Sequence, residues 1–132
     1  MPAVITKERF AQGLTMAQYL DQMTMNRDRM VRAIDGTTIK PQDVHVLTKY
    51  GAVTRILVIT EDWCGTSFAY VPFIARLTDG RPGVDLRVFL RDQNPDVMDE
   101  FLKKGLYRSI PVIVFFDEAM NELARFIEAP AE

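Results

Sequence analysis

The only cysteine of the chain, Cys64, stands in residues 63–67, which read Trp-Cys-Gly-Thr-Ser. The apolar, β-branched run at 56–60 predicts a strand before it, and residues 67–77 predict a helix after it. Free N–H groups and the positive end of the helix dipole at such a junction stabilise a thiolate. They can lower a cysteine pKa from about 8.5 to between about 3.5 and 7.5. Cys64 is therefore the candidate nucleophile, and we expect it to cap this helix.

The elements that must position this thiol belong to a chain of 132 residues, 48% hydrophobic and 26% charged, which is typical of one soluble globular domain. A formal net charge of -2, with acidic and basic residues interspersed, leaves no basic stripe for a nucleic acid. The sequence shows neither an apolar run of membrane-spanning length nor a signal peptide, so we expect no membrane partner and a cytoplasmic location. A single cysteine excludes an internal disulfide and fits a reducing compartment.

Two regions are predicted along the chain. Residues 1–45 are interpreted as an N-terminal helical extension that packs on the core, and residues 46–132 as the main domain. The apolar residues of the first region recur at helical spacing, and the stripe they form is interpreted as a packing face rather than a binding groove. They are Leu14, Met16, Tyr19, Leu20, Met23, Met30, Val31 and Ile34.

The rest of the sequence predicts alternating helices and strands. The order is helix, strand, helix, strand, helix, strand, strand, which predicts a parallel βαβ half followed by a hairpin, with helices on both faces of the sheet. The predicted helices cover residues 38–50, 67–77 and 94–105, and the predicted strands cover 53–60, 84–90, 111–116 and 122–128.

These motifs resemble the thioredoxin superfamily. Residues 63–67 stand where that family has a Trp-Cys-Gly-Pro-Cys type motif, and Pro72 matches the proline that kinks its active-site helix. Residues 108–112 resemble the family's cis-proline loop, which predicts a cis bond before Pro111. The resemblance implies an α/β, thioredoxin-like three-layer fold, with a central mixed sheet, helices on both faces and the N-terminal helical extension. The chain looks most like a bacterial thioredoxin-like group with a Trp-Cys-Gly-x-Ser monothiol motif.

The resemblance also implies which residues meet the substrate. Backbone groups at the cis-proline loop would align an extended peptide. Trp63 would form part of the docking surface, and the alternative interpretation is that its side chain only fills a hydrophobic gap. The residues implied are Trp63, Gly65, Thr66, Ile110 and Pro111.

Two positions depart from the family pattern. Ser67 replaces the second cysteine and cannot resolve a mixed disulfide, but its hydroxyl can donate a hydrogen bond to the Cys64 thiolate, which makes it a candidate catalytic residue. Val58 stands where the family has a buried acid. The two departures agree and favour a monothiol design. Glu61 and Asp62 place negative charge near the sulfur and oppose the helix dipole.

Other chemistries find little support in the sequence. His45 is the only histidine and lies on a different predicted helix, so we interpret it as a surface or packing residue. The sequence contains no zinc or calcium ligand spacing and no phosphate-binding glycine pattern. We therefore expect no metal site and no cofactor.

The leading prediction is a monothiol thiol-disulfide oxidoreductase that acts through Cys64 on disulfides or low-molecular-weight mixed disulfides. Its partner would be a disulfide-containing protein or a low-molecular-weight thiol. One alternative is a redox-inactive, thioredoxin-like module that binds peptides or proteins. Another is a glutaredoxin-like iron–sulfur carrier, because residues 64–67 resemble the Cys-Gly-Phe-Ser motif, but Trp63 and Ile110-Pro111 argue against it.

The superfamily normally has a helix after its last strand, and this sequence ends at Glu132. We expect the N-terminal helices to cover the sheet face that this helix would cover, which favours a monomer. A homodimer is the alternative.

Overall fold

The computed structural model describes residues 5–49 and 51–128. Three parts of the sequence lie outside the described residues: 1–4, Tyr50 and 129–132. They include the outer ends of the two predicted regions and the last residue of the helix predicted at 38–50. The helices are α1 (Lys7–Ala11), α2 (Met16–Gln22), α3 (Arg27–Asp35), α4 (Val46–Lys49), α5 (Ser67–Thr78) and α6 (Pro95–Met98), with 3₁₀ helices at Pro41–His45, Arg91–Gln93 and Asp99–Phe101. The strands are β1 (Arg55–Thr60), β2 (Asp85–Leu90), β3 (Val112–Phe116) and β4 (Glu122–Ile127).

The four strands form one mixed sheet in the order β2-β1-β3-β4. β1 and β2 are parallel, whereas β3 runs antiparallel to both β1 and β4. Val58 in the central strand pairs with Val88 on one side and with Ile113 on the other. A near-continuous apolar run suits this position, because a central strand is covered on both faces. The predicted βαβ half followed by a hairpin is confirmed.

Side chains that alternate along β1 enter two separate cores, one on each face of the sheet. Ile56 and Val58 pack with α5 and with apolar residues of α2 and α3, whereas Leu57 and Ile59 pack on the opposite face. That opposite core also contains Phe10 of α1 and residues from α6. Helices therefore lie on both faces, as the three-layer prediction requires.

The N-terminal helices are anchored on the domain. α2 begins with a capping box between Thr15 and Gln18, α3 packs against α5, and α2 packs against β2. Met23 and Met30 are buried, in agreement with the reading of the methionine-rich stripe as a packing face. The boundary between two regions at residue 45 stays a prediction.

Two predicted helices are shorter than expected. The segment predicted as a helix at 38–50 is the 3₁₀ helix Pro41–His45 followed by the single turn of α4, with the Asp43 carboxylate accepting the Lys40 N–H at 2.8 Å. The helix predicted to reach Gly105 ends with the 3₁₀ helix Asp99–Phe101. Lys104 and Gly105 have φ angles of 55° and 70°, and a right-handed helix cannot continue through left-handed residues.

One part of the sheet face beside α5 remains open. The N-terminal helices pack on α5 and β2 and leave an apolar groove between α5 and the hairpin β3–β4, so the prediction that they cover this face is wrong here. The groove has a volume of about 300 Å³ and is lined by Ala69, Tyr70, Phe73, Ile113, Phe115 and Phe126. Across residues 5–49 and 51–128, we find no helix long and apolar enough to cross a membrane.

Candidate functional site

Cys64 lies in the loop that joins β1 to α5. The N-terminal cap of α5 is Thr66, so the prediction that Cys64 itself caps the helix is wrong by two residues. The Cys64 carbonyl oxygen accepts the Ser67 N–H at 3.2 Å, which continues the helical hydrogen bonding backward into the loop. Cys64 therefore lies just before this helix N-terminus, close enough for the helix dipole to act on it. The first N–H groups of the helix already donate to carbonyl oxygens of the loop, as Phe68 does to Gly65 and Ala69 to Thr66.

The Cys64 sulfur faces the loop before β3. Its thiol donates to the Ile110 carbonyl oxygen, with the sulfur 3.8 Å from that oxygen. The peptide bond between Ile110 and Pro111 is cis, which confirms that prediction. Cys64 is buried, with 8% of its surface exposed, and packs in the hydrophobic core that also contains Ile59 and Ile110. The fold brings together the two motifs that are 46 residues apart in the sequence.

Trp63 lies on the surface beside the cysteine. Its side chain is 48% exposed, which contradicts the reading of this residue as the filler of a hydrophobic gap. The guanidinium of Arg91 lies over the indole, 4.8 Å from the ring centre. Arg91 also donates to the Arg108 carbonyl oxygen at 3.2 Å, in the loop that leads to Ile110.

Arg91 was not among the residues that the sequence predicted for the site. The available signal was its position directly after β2, because the carboxyl ends of the parallel strands β1 and β2 lie at the same edge of the sheet. A residue that follows β2 is therefore close to the loop that follows β1, where Trp63 and Cys64 stand.

Gly65 and Thr66 are both exposed on the other side of the cysteine. A Cβ atom built on Gly65 would have no heavy atom within 4 Å apart from those of its chain neighbours Cys64 and Thr66. The loop is therefore open to solvent at Gly65.

Ser67 is buried, with 1% of its surface exposed, at the start of α5. Its hydroxyl pairs with the hydroxyl of Thr60, the last residue of β1, which is fully buried. The expected hydrogen bond from Ser67 to the Cys64 sulfur is not formed in this structure, where the serine hydroxyl contacts Thr60 instead. Sequence reasoning missed Thr60, since a polar residue at the end of a strand carries no particular signal.

Tyr19 of α2 is a second residue that the sequence did not predict for the site. In the sequence it is interpreted as part of the apolar packing face. Its ring is fully buried, and its hydroxyl faces the Thr60 side chain without completing a hydrogen bond of ordinary length. Burial, together with the negative charges of Asp62 and Glu61, raises the pKa of Tyr19 to about 12. The phenol is therefore neutral at physiological pH and can serve as a hydrogen-bond donor.

The two acidic residues before Cys64 have backbone partners. The Asp62 carboxylate accepts the Thr24 N–H at 2.9 Å and the Thr24 hydroxyl at 3.1 Å. The Glu61 carboxylate accepts the Asp92 N–H at 2.9 Å. These bonds tie the cysteine loop to the α2–α3 connection on one side and to the segment after β2 on the other. Both carboxylates therefore accept hydrogen bonds from N–H donors of neighbouring segments.

His45 lies away from this arrangement, in the 3₁₀ helix Pro41–His45, where it lines a separate cavity with residues such as Leu47 and Arg81. In the part of the chain that the structure describes, no three His, Cys, Asp or Glu side chains are grouped so as to hold a metal ion.

The family model described as Thioredoxin matches residues 13–132, which includes α2, α3 and the whole sheet. The chain belongs to the thioredoxin family. No curated protein matches the chain significantly. The narrower assignment to a bacterial group with a Trp-Cys-Gly-x-Ser motif stays a prediction.

Two solved structures are similar to this thioredoxin-family chain. A protein of unknown function from Pseudomonas aeruginosa is 21% identical with a TM-score of 0.70, over 92% of this chain and 75% of that one. An HIV epitope-scaffold is 20% identical with a TM-score of 0.72, over 96% of this chain and 78% of that one. At these identities the likeness supports the fold alone.

Proposed function

We propose that this thioredoxin-family protein is a monothiol thiol-disulfide oxidoreductase in which Cys64 is the nucleophile. The observation that carries the proposal is the contact between the Cys64 sulfur and the Ile110 carbonyl oxygen, 3.8 Å apart, at the N-terminal turn of α5. The thiol lies just before a helix N-terminus, whose dipole favours negative charge, and beside a loop that offers backbone groups to an extended substrate. Cys64 is buried, so a substrate needs local opening of this loop to reach the sulfur.

The reaction takes two exchanges. The Cys64 thiolate attacks one sulfur of a substrate disulfide, forms a Cys64–sulfur bond and releases the other substrate sulfur as a thiolate. An external thiol, as its thiolate, then attacks the mixed disulfide, carries away the bound substrate sulfur as a new disulfide, and returns Cys64 as a thiolate. No net oxidant is required, because each step exchanges one disulfide for another. The external thiol is needed because Ser67 cannot perform the second attack.

The substrate class follows from the surroundings of the sulfur. Trp63 offers an exposed aromatic surface on one side, and Gly65 leaves open space on the other. Backbone groups at Ile110 would align an extended chain across the sulfur. The proposed partners are a disulfide-containing protein segment or a low-molecular-weight mixed disulfide, in a reducing, cytoplasmic environment that supplies the releasing thiol.

A redox-inactive binding module is the second candidate, and one observation favours it. The Ser67 hydroxyl, at the position of the family's second cysteine, is engaged with Thr60 inside the core, and Trp63 is exposed. A protein that only binds extended peptides would need this surface and no second thiol.

The test is to incubate the protein with glutathione disulfide and with a second low-molecular-weight disulfide, and to follow Cys64 by intact mass. The proposal expects one adduct for each molecule and its release by added thiol. The Cys64→Ser variant is the matched control and should form no adduct.

Two results would count against turnover. No adduct with either disulfide would favour the binding module. An adduct that added thiol does not release would leave Cys64 as a reactive group without a catalytic cycle.

A further inference from the structure

The segment that joins α2 to α3 is hydrogen-bonded to the loop that carries Cys64. The Asp62 carboxylate accepts the Thr24 N–H at 2.9 Å and the Thr24 hydroxyl at 3.1 Å. The Asp62 carbonyl oxygen accepts the Asn26 side-chain amide at 2.9 Å. Residues 24–26 therefore give three hydrogen bonds to one residue, which stands two positions before the cysteine. We call these three bonds the Asp62 clamp.

Asn26 forms the clamp at the expense of its usual role. It occupies the N-cap position of α3, where an asparagine side chain normally accepts an N–H of the first helical turn, but it makes no such bond here. Its φ angle is 63°, in the left-handed region where asparagine is enriched. The side chain bonds Asp62 and not the helix that it begins. Such a departure from ordinary local structure indicates a role outside α3.

The clamp starts from a well-supported corner of the fold. Met23, at the beginning of the connection, is buried. At its end, the Arg27 guanidinium donates to the Leu20 carbonyl oxygen at 3.0 Å, which joins the start of α3 to α2. α3 also packs against α5. Residues 24–26 are therefore anchored on both sides, and the clamp attaches the cysteine loop to this anchored corner.

The loop itself has few buried contacts. Among residues 61–66 only Cys64 is buried, and Trp63 and the two residues after the cysteine are exposed. Segments with few buried contacts open locally at a small free-energy cost. The Asp62 carbonyl belongs to the peptide bond with Trp63, so Asn26 holds the peptide that comes directly before the last residue preceding the cysteine. The clamp therefore restrains the loop on the N-terminal side of the thiol.

We propose that the Asp62 clamp controls how often the buried Cys64 thiol becomes accessible, with Thr24 and Asn26 as positioning residues. While the clamp is formed, the loop keeps the sulfur in the core. When the clamp opens, the loop moves outward and admits a reagent or a substrate. The inference rests on the proposed function for the identity of the nucleophile, and it assigns the N-terminal helices a part in regulating its exposure.

The test measures the rate of Cys64 alkylation by iodoacetamide at a fixed pH. Asn26→Gly removes the amide, and glycine accepts both a positive φ angle and the N-cap position. Alkylation should become about twofold to tenfold faster, because the loss of one hydrogen bond raises the population of the open loop by this factor. Asn121→Gly is the matched control and should follow the wild type. It removes an exposed amide that donates to Asp117, in the β3–β4 turn at the opposite end of the sheet.

Thr24 tests the clamp through a second contact. Thr24→Val removes the hydroxyl bond to the Asp62 carboxylate and should make alkylation about twofold faster or more, whereas Thr24→Ser keeps the hydroxyl and should retain the wild-type rate. In the Asp62→Ala background, Thr24→Val should have no further effect, because the acceptor of its hydroxyl is already absent.

Two measurements separate opening of the clamp from a general loss of stability. Quenching of Trp63 fluorescence by acrylamide should rise in Asn26→Gly, because this amide holds the peptide bond before the tryptophan. The alkylation rate should change little at low urea concentrations, where the protein remains folded, because opening of a short loop exposes little surface. Urea denaturation of every variant supplies the global stability for comparison.

The clamp is wrong if Asn26→Gly is alkylated no faster than Asn121→Gly, which would show that other contacts, such as that between Glu61 and Asp92, hold the loop. It is equally wrong if the alkylation rate rises with urea as steeply as global unfolding does. Iodoacetamide reports access alone, so the clamp can operate in a protein that exchanges no disulfide. A protein whose loop is held elsewhere can still form and release the adducts of the proposed function, so the two proposals fail separately.

Discussion

The guanidinium of Arg91 lies 4.8 Å from the centre of the Trp63 ring and at the same time donates to the Arg108 carbonyl oxygen at 3.2 Å. One side chain thus joins the tryptophan before Cys64 to the loop that carries Ile110. The two sides of the candidate site are coupled through this contact, although they come from loops that follow different strands.

Arg91→Met should make the Trp63 indole more mobile and more accessible to solvent. Trp63 is the only tryptophan, so its fluorescence reports this site alone. A contact between a cation and an exposed ring contributes about 0.5–1 kcal/mol, so we expect quenching by acrylamide to rise by about 1.5-fold to twofold, with little loss of stability. Arg76→Met is the matched control, because Arg76 also pairs with a nearby aspartate but contacts no tryptophan. Equal quenching in both variants would show that Arg91 does not hold the indole.

Gly13 is predicted to tolerate no side chain. A Cβ atom there would lie 2.6 Å from the Phe89 ring and 2.9 Å from the Arg87 Cβ, where β2 meets the segment before α2. Gly13→Ala should therefore destabilise the protein by about 1–3 kcal/mol, as overpacking usually does. Gly83→Ala is the control, since no heavy atom lies within 4 Å of the added atom. Chemical denaturation measures both, and an unchanged midpoint for Gly13→Ala would contradict this packing.

The hydroxyl pair of Thr60 and Ser67 predicts strongly non-additive stability effects. Thr60→Val alone leaves the buried Ser67 hydroxyl without its partner, at a cost of about 1–3 kcal/mol, whereas Ser67→Ala leaves Thr60 only its long bond, 3.4 Å, to the Glu61 carbonyl oxygen. The double variant removes both hydroxyls and should cost clearly less than the sum of the two. Urea denaturation of the four proteins gives the coupling energy, and additive effects would show that the pair contributes little.

The sequence predicted the parts of the fold that depend on local pattern. The apolar run of β1, the first residue of α5 and the cis bond before Pro111 each have a signal within a few neighbouring residues, and all are present. The order of these elements then places Cys64 beside Ile110, because β3 runs antiparallel to β1 and therefore begins at the edge of the sheet where β1 ends.

The rest of the site depends on packing between distant segments, which local pattern does not contain. Tyr19 was read correctly as a packing residue, but its sequence position did not indicate that its buried hydroxyl faces Thr60. Arg91 reaches Trp63 from the end of the neighbouring strand β2. Ser67 was given the right position and the wrong partner, since Thr60 had no reason to be singled out.

Gly65→Ala should separate access to Cys64 from folding. Gly65 is exposed, its φ angle does not require glycine, and an added Cβ would meet no atom within 4 Å, so we expect little change in stability. The methyl group would still narrow the open side of the thiol. Alkylation by iodoacetamide should keep its wild-type rate, whereas exchange with a bulky aromatic disulfide should slow by about twofold or more. Equal slowing of both reagents would indicate a change in the thiol itself and not in access.

Tyr19 predicts a pH dependence of stability that lies in the alkaline range. Its pKa is raised from 10.0 to about 12 in the folded protein, so the folded state holds the phenol proton more tightly than the unfolded state. This contribution is complete below about pH 10, decreases as the pH rises toward 12, and amounts to at most about 3 kcal/mol. Denaturation at pH 9 and pH 11 should show a smaller decrease for Tyr19→Phe than for the wild type, whereas Tyr107→Phe should keep the wild-type decrease. Identical pH dependence in all three proteins would place the Tyr19 hydroxyl in a solvated environment and not in the core.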